Sequence, residues 1–100
     1  MNLEFTPAAL SDIRSIRDYT LEKWGSDQEK IYLNSLWQKF EEIRLNPGRW
    51  RFREDLFPRC QIASEGRHVI LFRINEDTLQ IVRVLHSTME LLRHVPKNLS

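Results

Sequence analysis

Cysteine is nearly absent from this chain, and its scarcity excludes several kinds of protein. Cys60 is the single cysteine among 100 residues, so no disulfide framework is possible and a reducing cytoplasm is the expected location. With three glycines and three histidines, the chain lacks a phosphate-cradling loop and any recognisable zinc spacing. We therefore expect no cofactor and no metal.

Long apolar runs are also missing. No segment approaches the roughly 20 apolar residues that cross a bilayer, and the start MNLEFTPAAL lacks the regions of a signal peptide. The 41% apolar content is enough for one core, and the 29% charged content argues against disorder. We predict one domain over residues 1–96, a frayed tail at 97–100 and no membrane partner.

Charge is nearly balanced overall but unevenly distributed. The net charge is +1, yet residues 44–73 hold seven arginines against three acidic residues, a local balance of +4. Guanidinium groups suit bidentate contact with carboxylate or phosphate. Within this segment Arg49, Trp50, Arg51, Phe52 and Arg53 alternate basic with aromatic side chains. They indicate either a surface that touches a partner or ordinary packing of an edge strand.

Two apolar runs near the C-terminus predict the centre of the fold. The runs His68–Ile74 and Leu79–His86 flank the turn-forming Asn75-Glu76-Asp77, which is typical of a buried β-hairpin. Ser87 and Glu90 then have capping-box spacing, which predicts a short terminal helix beginning at Ser87.

The N-terminal half predicts a strand and two helices. A strand over Asn2–Phe5 is followed by Thr6-Pro7, a strong helix start, and Gly25 ends that helix. A capping box at Ser26–Glu29 then opens the second helix, which stops at Asn46-Pro47-Gly48. The helical spacing of apolar residues assigns three aromatic side chains to the core: Trp24, Trp37 and Phe40.

The remaining segment predicts two further strands. Arg51–Arg53 suits a strand edge, and Leu56–Ser64 suits a strand interrupted at Pro58, which belongs at a strand start or on an edge. Cys60 alternates with Ile62, so a buried structural thiol is favoured over a nucleophile. The fold class is α+β, with an N-terminal strand and a helical hairpin packed on a small antiparallel β-sheet, and a short C-terminal helix.

Two histidines lie at ends of the predicted central strands. A strand histidine is more often a satisfied hydrogen-bonding group than a catalyst. If the hairpin pairs as predicted, however, His68 and His86 come near Arg59 and Arg67. Such a cluster could hold a phosphate and move a proton, as metal-free RNA cleavage requires. No Glu, Asp or Tyr has an obvious place as a second acid or base.

Several short motifs occur in a consistent order over residues ~3–95. The motifs of the helical half are Tyr19-Thr20, Trp24-Gly25, Gln28 and Tyr32-Leu33. The motifs of the strands and terminal segment are Gly66-Arg67-His68-Val69-Ile70, Phe72-Arg73, Ile81-Val82-Arg83-Val84-Leu85-His86, Met89-Glu90 and His94. Together they resemble the ParE toxins of bacterial type II toxin–antitoxin pairs, in the RelE/ParE superfamily. Pro58 departs from the glycine that the family often has before the arginine, which bears on how Arg59 points.

The resemblance implies a function and its alternatives. It implies a toxin that inhibits DNA gyrase and arrests growth until a cognate antitoxin binds it, with nucleic acid reached only through antitoxin or gyrase. The implied gyrase contacts are Arg59, Arg67, His86, Met89, Glu90 and His94, with no catalytic residue. The alternative is a metal-free, ribosome-dependent mRNA endoribonuclease of the RelE type, whose candidate residues are Arg59, His68 and His86. A third interpretation is an inactive member that only pairs with an antitoxin.

The resemblance also implies a mode of neutralisation. We expect the antitoxin to lay an amphipathic segment over the helical hairpin and to add extended chain at the sheet. Its acidic residues are expected to contact the arginine-rich segment, where the candidate contacts are Arg49, Trp50, Arg51, Phe52 and Arg53.

Overall fold

A helical hairpin separates the first strand of this chain from the other four. The structure, a computed structural model, describes residues 1–96, so the predicted frayed tail at 97–100 lies outside the described residues. The elements are β1 Asn2–Phe5, α1 Pro7–Trp24, α2 Ser26–Leu45, β2 Arg51–Phe52, β3 Gln61–Glu65, β4 His68–Asn75 and β5 Thr78–His86, with short 3-10 turns at Pro47–Arg49 and Leu91–Arg93. Across residues 1–96, neither long helix is apolar enough to span a bilayer.

The five strands form one sheet in the order β1-β5-β4-β3-β2. The predicted hairpin is confirmed: β4 and β5 are antiparallel, with Asn75 opposite Thr78 and His68 opposite His86. β3 and β2 continue the antiparallel pairing outward. β1 is the exception, because it runs parallel to β5 with Phe5 opposite Ile81. The predicted antiparallel pairing therefore holds for β2, β3, β4 and β5, and it is wrong for β1.

Both faces of the central strands are buried, which explains their continuous apolar runs. On one face, Ile70 and Phe72 pack beneath the helices in the main core. On the other face, Leu71 packs against Leu56 and Phe57 from the loop that precedes β3. A strand covered on both sides does not alternate between polar and apolar residues.

The start of α1 is as predicted, but the start of α2 is not. The Thr6 hydroxyl accepts a hydrogen bond of 3.0 Å from the Ala9 N–H, and Pro7 occupies the first helical position. The N-cap of α2 is Gly25, at φ +91°, and no side chain caps this helix. The capping box assigned to Ser26–Glu29 is therefore wrong, because Ser26 already lies inside the helix.

Two of the three aromatic side chains assigned to the core lie at the surface. Phe40 is 1% exposed, as predicted, whereas Trp24 is 58% exposed and Trp37 is 46% exposed. Helical spacing placed each of the three on an apolar stripe of its own helix. Trp24, however, lies in the last turn of α1, and Trp37 packs edge-on against Phe5 and Phe40 with its other side exposed. The core assignment of Trp24 and Trp37 is therefore wrong.

The C-terminal segment differs from the prediction in detail. The chain turns over Ser87–Glu90, and the short helix is the 3-10 turn Leu91–Arg93, whose N-cap Glu90 makes no side-chain capping bond. The helix start predicted at Ser87 is therefore wrong. The Ser87 N–H instead donates to the Arg67 carbonyl at 2.8 Å, which prolongs the hairpin pairing. Leu91 and Val95 pack on the same side of the sheet as Leu71, Leu56 and Phe57.

The loop before β3 is longer than the sequence predicted. β3 begins at Gln61, so residues 56–60 are not strand, and Pro58 lies in a turn. Arg59 has φ +63°, and its N–H donates to the Glu54 carboxylate at 3.1 Å. Cys60 is fully buried, as predicted, and burial raises the pKa of its thiol to about 12.

Candidate functional site

A cleft lies where α1, the start of α2 and the end of the β4–β5 hairpin meet. It has a volume of about 1060 Å³. The side chains that define it are Asp12, Ser15, Tyr19, Trp24, Tyr32, Arg67, His68, Arg83, His86, Met89 and His94. Most of them come from the motifs that carry the family resemblance.

Two histidines face each other at the inner end of the cleft. His68 and His86 are direct cross-strand partners, and the Ser87-to-Arg67 hydrogen bond flanks them on the outer side. Such a pair sits between ladder hydrogen bonds, where side chains come closest. Their ring centroids are 5.5 Å apart with the planes at 80°. The predicted proximity of the two histidines is confirmed.

Tyr32 holds His68 in place from α2. Its hydroxyl lies 2.5 Å from His68 Nδ1 and donates to the Glu65 carbonyl at 3.0 Å. Burial, followed by the proximity of His86, lowers the pKa of His68, and burial raises the pKa of Tyr32. The lowered pKa favours the neutral form of His68, which the Tyr32 hydroxyl contacts through Nδ1.

Gly66 is required for this contact with Tyr32. A Cβ at position 66 would lie 2.7 Å from Tyr32 Cε1, and Gly66 has φ +56°. Glycine alone gives both the left-handed turn and the close approach. Both residues belong to the motifs that carry the family resemblance, but the sequence alone assigns no role to Tyr32. Because the two are 34 positions apart, only the tertiary fold shows that they meet.

His86 is held by the turn that follows it. Its Nδ1 accepts the Thr88 N–H at 3.2 Å and lies 2.7 Å from the Thr88 hydroxyl. Since a backbone N–H can only donate, Nδ1 is unprotonated and the ring proton of neutral His86 resides on Nε2. The imidazole is therefore fixed in one orientation and one tautomer.

An ion pair joins α1 to β5 and to the C-terminal segment. The Arg83 Nε and Nη2 donate to the two oxygens of Asp12, each at 2.7 Å, and Arg83 Nη1 donates to the His94 carbonyl at 2.6 Å. The Asp12 side chain is 12% exposed and the Arg83 side chain 21%. The hydrogen bond from Arg83 to Asp12 raises the pKa of the guanidinium. Neither residue was among the predicted site residues, because the two lie 71 positions apart in the sequence.

The rim of the cleft is apolar and exposed. Tyr19 is 59% exposed, Trp24 58% and Met89 43%. Arg67 is also exposed, and no carboxylate within residues 1–96 forms a salt bridge with it. Large aromatic side chains and one unpaired guanidinium thus surround an open concavity.

The gyrase contacts predicted from the sequence are only partly brought together. Arg67, His86, Met89 and His94 line the cleft, whereas exposed Glu90 pairs with Arg93 at 3.1 Å. Arg59 lies two residues before Gln61. Gln61 is opposite Phe72, which is four residues along β4 from His68. At about 3.3 Å per strand residue, Arg59 lies roughly 15 Å or more from the histidine pair. The predicted cluster of Arg59 with His68 and His86 is therefore wrong.

The candidate antitoxin contacts lie around the opposite sheet edge. Arg51 and Phe52 are exposed on the edge strand β2. Arg49 pairs with Glu42 at 3.3 Å, and Arg53 forms a bidentate pair with Asp55 at 2.8 Å. Trp50 is partly buried against the main core, beneath Lys39 and Arg49. Its indole N–H finds no hydrogen-bond partner within the described residues.

Within residues 1–96, no group of three or more His, Cys, Asp or Glu side chains is arranged to hold a metal ion. The histidine pair faces the cleft without a third ligand, and the nearest carboxylate on the cleft wall, Asp12, is engaged by Arg83.

Comparison with known proteins gives a consistent result. The family described as "ParE toxin of type II toxin-antitoxin system, parDE" matches residues 3–91. Toxin ParE1 of Mycobacterium tuberculosis is 33% identical over 91 residues, which cover 90% of this chain and 93% of the relative. Toxin ParE of Escherichia coli is 30% identical over 96 residues, covering 94% and 92%.

Two solved structures have a similar fold. One, described as "Chromosomal ParDE TA system from P. aeruginosa", has a TM-score of 0.73 at 17% identity and covers 86% of this chain and 95% of that chain. A YafQ mutant from E. coli has a TM-score of 0.50 at 10% identity and covers 85% and 91%. At these identities the likeness concerns the fold alone, and it confirms the predicted α+β class.

Proposed function

This chain belongs to the ParE toxin family of type II toxin–antitoxin systems, and we propose that it binds DNA gyrase and blocks replication until its cognate antitoxin neutralises it. The cleft is the proposed contact surface, with Arg67, His86, Met89 and His94 among its contacts. The chemistry of its rim, which suits a binding surface, is the main support for this function.

The rim has the side chains that dominate protein–protein binding energy. Binding hot spots are enriched in Trp, Tyr and Arg around a pocket that excludes water. Here Tyr19, Trp24 and Met89 are each more than two-fifths exposed, and Arg67 stands beside them. An isolated exposed apolar residue is common, but several around one concavity indicate a partner.

The geometry is less suited to the alternative, an mRNA endoribonuclease. Phosphodiester cleavage needs positive charge at the developing phosphorane and a free proton acceptor. Arg83 is committed to Asp12 and Arg59 is remote, which leaves Arg67 as the guanidinium available in the cleft. Neutral His86 carries its proton on Nε2 while Nδ1 is engaged by Thr88. Neither ring nitrogen of His86 is poised to accept a proton.

Expression of the chain without its antitoxin tests the proposal in cells. We expect growth arrest with filamentation and DNA-damage signalling, because stalled gyrase interrupts replication. Protein synthesis, followed by pulse labelling, should continue through the first phase of arrest. An immediate collapse of translation with cleaved messages would support the endoribonuclease instead.

Two exposed tryptophans provide a matched test of the contact surface. Trp24 is 58% exposed on the cleft rim, and Trp37 is 46% exposed on α2 away from it. Trp24→Ala should lose on the order of 2 kcal/mol of binding, roughly a thirtyfold change, if it is a hot spot. Trp37→Ala should inhibit gyrase as well as wild type once both variants are shown to be folded by circular dichroism. Equal inhibition by Trp24→Ala and wild type would remove the rim from the proposal.

The antitoxin contacts at Arg49–Arg53 stay a prediction. Arg51 and Phe52 are the best placed of them, because both are exposed and Arg51 forms no salt bridge within residues 1–96. Arg51→Glu should weaken binding of the antitoxin, measured by isothermal titration calorimetry. Unchanged affinity would exclude the electrostatic contribution at this edge.

A further inference from the structure

The two histidines of the cleft differ in which ring nitrogen carries the proton. The Tyr32 hydroxyl has a single proton, which it donates to the Glu65 carbonyl at 3.0 Å. Toward His68 the Tyr32 oxygen therefore acts as an acceptor, and the ring proton of neutral His68 resides on Nδ1. In His86, by contrast, Nδ1 accepts the Thr88 N–H, which leaves the ring proton on Nε2.

The other nitrogen of His68 and the protonated nitrogen of His86 are both open to the cleft. Within residues 1–96, neither His68 Nε2 nor His86 Nε2 has a hydrogen-bond partner. Neither atom is buried, because among the described residues the Trp50 indole nitrogen is the single buried side-chain nitrogen or oxygen that lacks a partner. Both histidines line the cleft, and their Nε2 atoms are therefore accessible from it.

These two open nitrogens have opposite hydrogen-bonding character. His68 Nε2 has a lone pair and accepts, whereas His86 Nε2 has a proton and donates. The two rings are cross-strand neighbours with centroids 5.5 Å apart, and each is held through its Nδ1. Because burial lowers the pKa of His68, its lone pair is a weak base and suits hydrogen bonding better than proton transfer. The pair is thus a fixed acceptor beside a fixed donor.

An acceptor beside a donor selects among the polar groups of a partner. A carboxylate can only accept and would leave the His68 lone pair facing an oxygen, while an ammonium or guanidinium can only donate and would leave the His86 N–H unmet. Arg67, at the same end of the cleft, also repels a cation. A neutral amide satisfies both rings, because its oxygen accepts while its nitrogen donates. A hydroxyl would have to serve both rings from one oxygen.

We propose that the histidine pair recognises a neutral amide group of gyrase, a side-chain carboxamide or a backbone peptide group, with His68 accepting and His86 donating. This inference rests on the proposed function, since gyrase is the partner. Tyr32 is then a positioning residue, because its hydroxyl fixes the tautomer that makes His68 an acceptor. The exposed apolar side chains of the rim would exclude water from this contact and so strengthen it.

Nitrogen NMR of the free toxin tests the tautomers without gyrase. In long-range hydrogen–nitrogen correlation spectra at about pH 8, where both imidazoles are neutral, His68 should show its proton on Nδ1 and His86 on Nε2. The reverse tautomer at either ring would overturn the donor–acceptor pair, whatever the toxin does to gyrase.

Loss of one hydroxyl tests the positioning role of Tyr32. Tyr32→Phe removes the group that accepts from His68 Nδ1, whereas Ser35→Ala removes a hydroxyl of the same helix outside the cleft. In Tyr32→Phe the NMR signals should shift toward a protonated His68 Nε2. About tenfold more of this variant should be needed to inhibit gyrase supercoiling, the effect of one net hydrogen bond. Ser35→Ala should match wild type in both measurements. A shifted tautomer with undiminished inhibition would overturn the contact.

Two substitutions of His68 keep the test decisive if Tyr32→Phe fails to fold. His68→Gln retains an oxygen that accepts, whereas His68→Leu has no acceptor. His68→Gln should inhibit gyrase within about threefold of wild type, and about tenfold more His68→Leu should be needed. Equal inhibition by the two variants, both shown to be folded by circular dichroism, would overturn the contact.

The pH dependence of binding distinguishes an amide from a carboxylate. As the pH falls, His68 Nε2 gains a proton and becomes a donor. Between about pH 8 and about pH 6, the affinity of wild type for gyrase in isothermal titration calorimetry should fall more than that of His68→Gln, which does not titrate at this position. A relative gain at low pH would indicate a carboxylate and overturn the amide. The ionisable groups around position 68 are the same in both proteins: Tyr32 on α2, His86 on β5, Glu65 and Arg67 beside the β3–β4 turn, and Asp12 on α1.

The outcomes separate this inference from the function on which it rests. If wild-type toxin inhibits supercoiling and the variants of Tyr32 and His68 do so equally well, the amide contact is refuted and gyrase inhibition stands. If wild-type toxin leaves supercoiling undiminished, the proposed function fails, and the amide contact fails with it.

Discussion

Removing the carboxylate of Asp12 should destabilise the protein far more than removing an exposed carboxylate of the same helix. Asp12→Ala leaves Arg83 without its bidentate partner and leaves the Val84 N–H without an acceptor. Both groups lie on the wall of the cleft, where α1 covers the edge of β5. The same loss frees the C-terminal segment, because Arg83 also holds the His94 carbonyl.

The magnitude follows from the exposure of these groups. Breaking a fully buried ion pair costs about 3–5 kcal/mol, but Arg83 keeps 21% of its side chain exposed and keeps its bond to His94. We therefore assign about 2 kcal/mol to the ion pair. An unsatisfied N–H adds about 1–3 kcal/mol. The sum is roughly 3–5 kcal/mol, and at about 4–8 °C per kcal/mol it lowers the Tm by roughly 12 °C or more.

Urea denaturation and thermal melting measure this effect, with two control variants. Asp18→Ala removes an exposed carboxylate of α1 that pairs with its neighbour Arg17, so its free energy of unfolding should change by about 0.5 kcal/mol or less. Asp12→Asn keeps an oxygen for the Val84 N–H and should recover about 1 kcal/mol of the loss. If Asp12→Ala is no less stable than Asp18→Ala, the ion pair does not hold α1 to β5.

Three further predictions concern single residues. Gly66→Ala should lower the free energy of unfolding by about 2 kcal/mol, since it combines the left-handed φ with a clash against Tyr32; Gly48→Ala, with open space around it, should be nearly neutral, and equal effects would contradict the packing. The Cys60 thiol, with its pKa raised to about 12 by burial, should resist Ellman's reagent near pH 8 until urea unfolds the protein; fast labelling of folded protein would contradict its burial. His68 has a lowered pKa in the folded state, so His68 binds a proton more tightly in the unfolded chain, and the free energy of unfolding should fall as the pH drops below the ordinary histidine value of ~6.5. In urea denaturation at about pH 5 and about pH 8, His68→Gln should reduce the difference in stability between the two pH values. An unchanged difference would exclude His68 as the cause of the pH dependence.

Local signals predicted most of the elements. Thr6-Pro7, Gly25 and the paired apolar runs around Asn75–Asp77 each have a strong short-range meaning, and the helices and the hairpin formed where these signals occur. The capping boxes predicted at Ser26 and Ser87 did not form, because Ser26 lies inside α2 and Ser87 lies in a turn. A capping pattern predicts a helix start only where the following chain also gains from packing.

Most of the candidate site could be recognised only from the tertiary fold. The proximity of His68 and His86 followed from the hairpin register, which turn residues largely determine. The position of Arg59 did not follow from the sequence. Arg59 lies in the loop before β3, near the end of β3 that is farther from His68. Tyr32 with Gly66 and Asp12 with Arg83 join segments far apart in the sequence, and no periodicity within a single segment predicts such pairs.

The central claim is that this toxin acts on DNA gyrase through a binding surface, and a supercoiling assay with purified components tests it most directly. Gyrase, relaxed plasmid and ATP are incubated with increasing toxin, with and without the cognate antitoxin. We predict a dose-dependent loss of supercoiling that the antitoxin prevents and that His86→Gln largely retains. Undiminished supercoiling at toxin in large excess over gyrase, together with cleavage of messenger RNA on ribosomes by the same preparation, would contradict the claim.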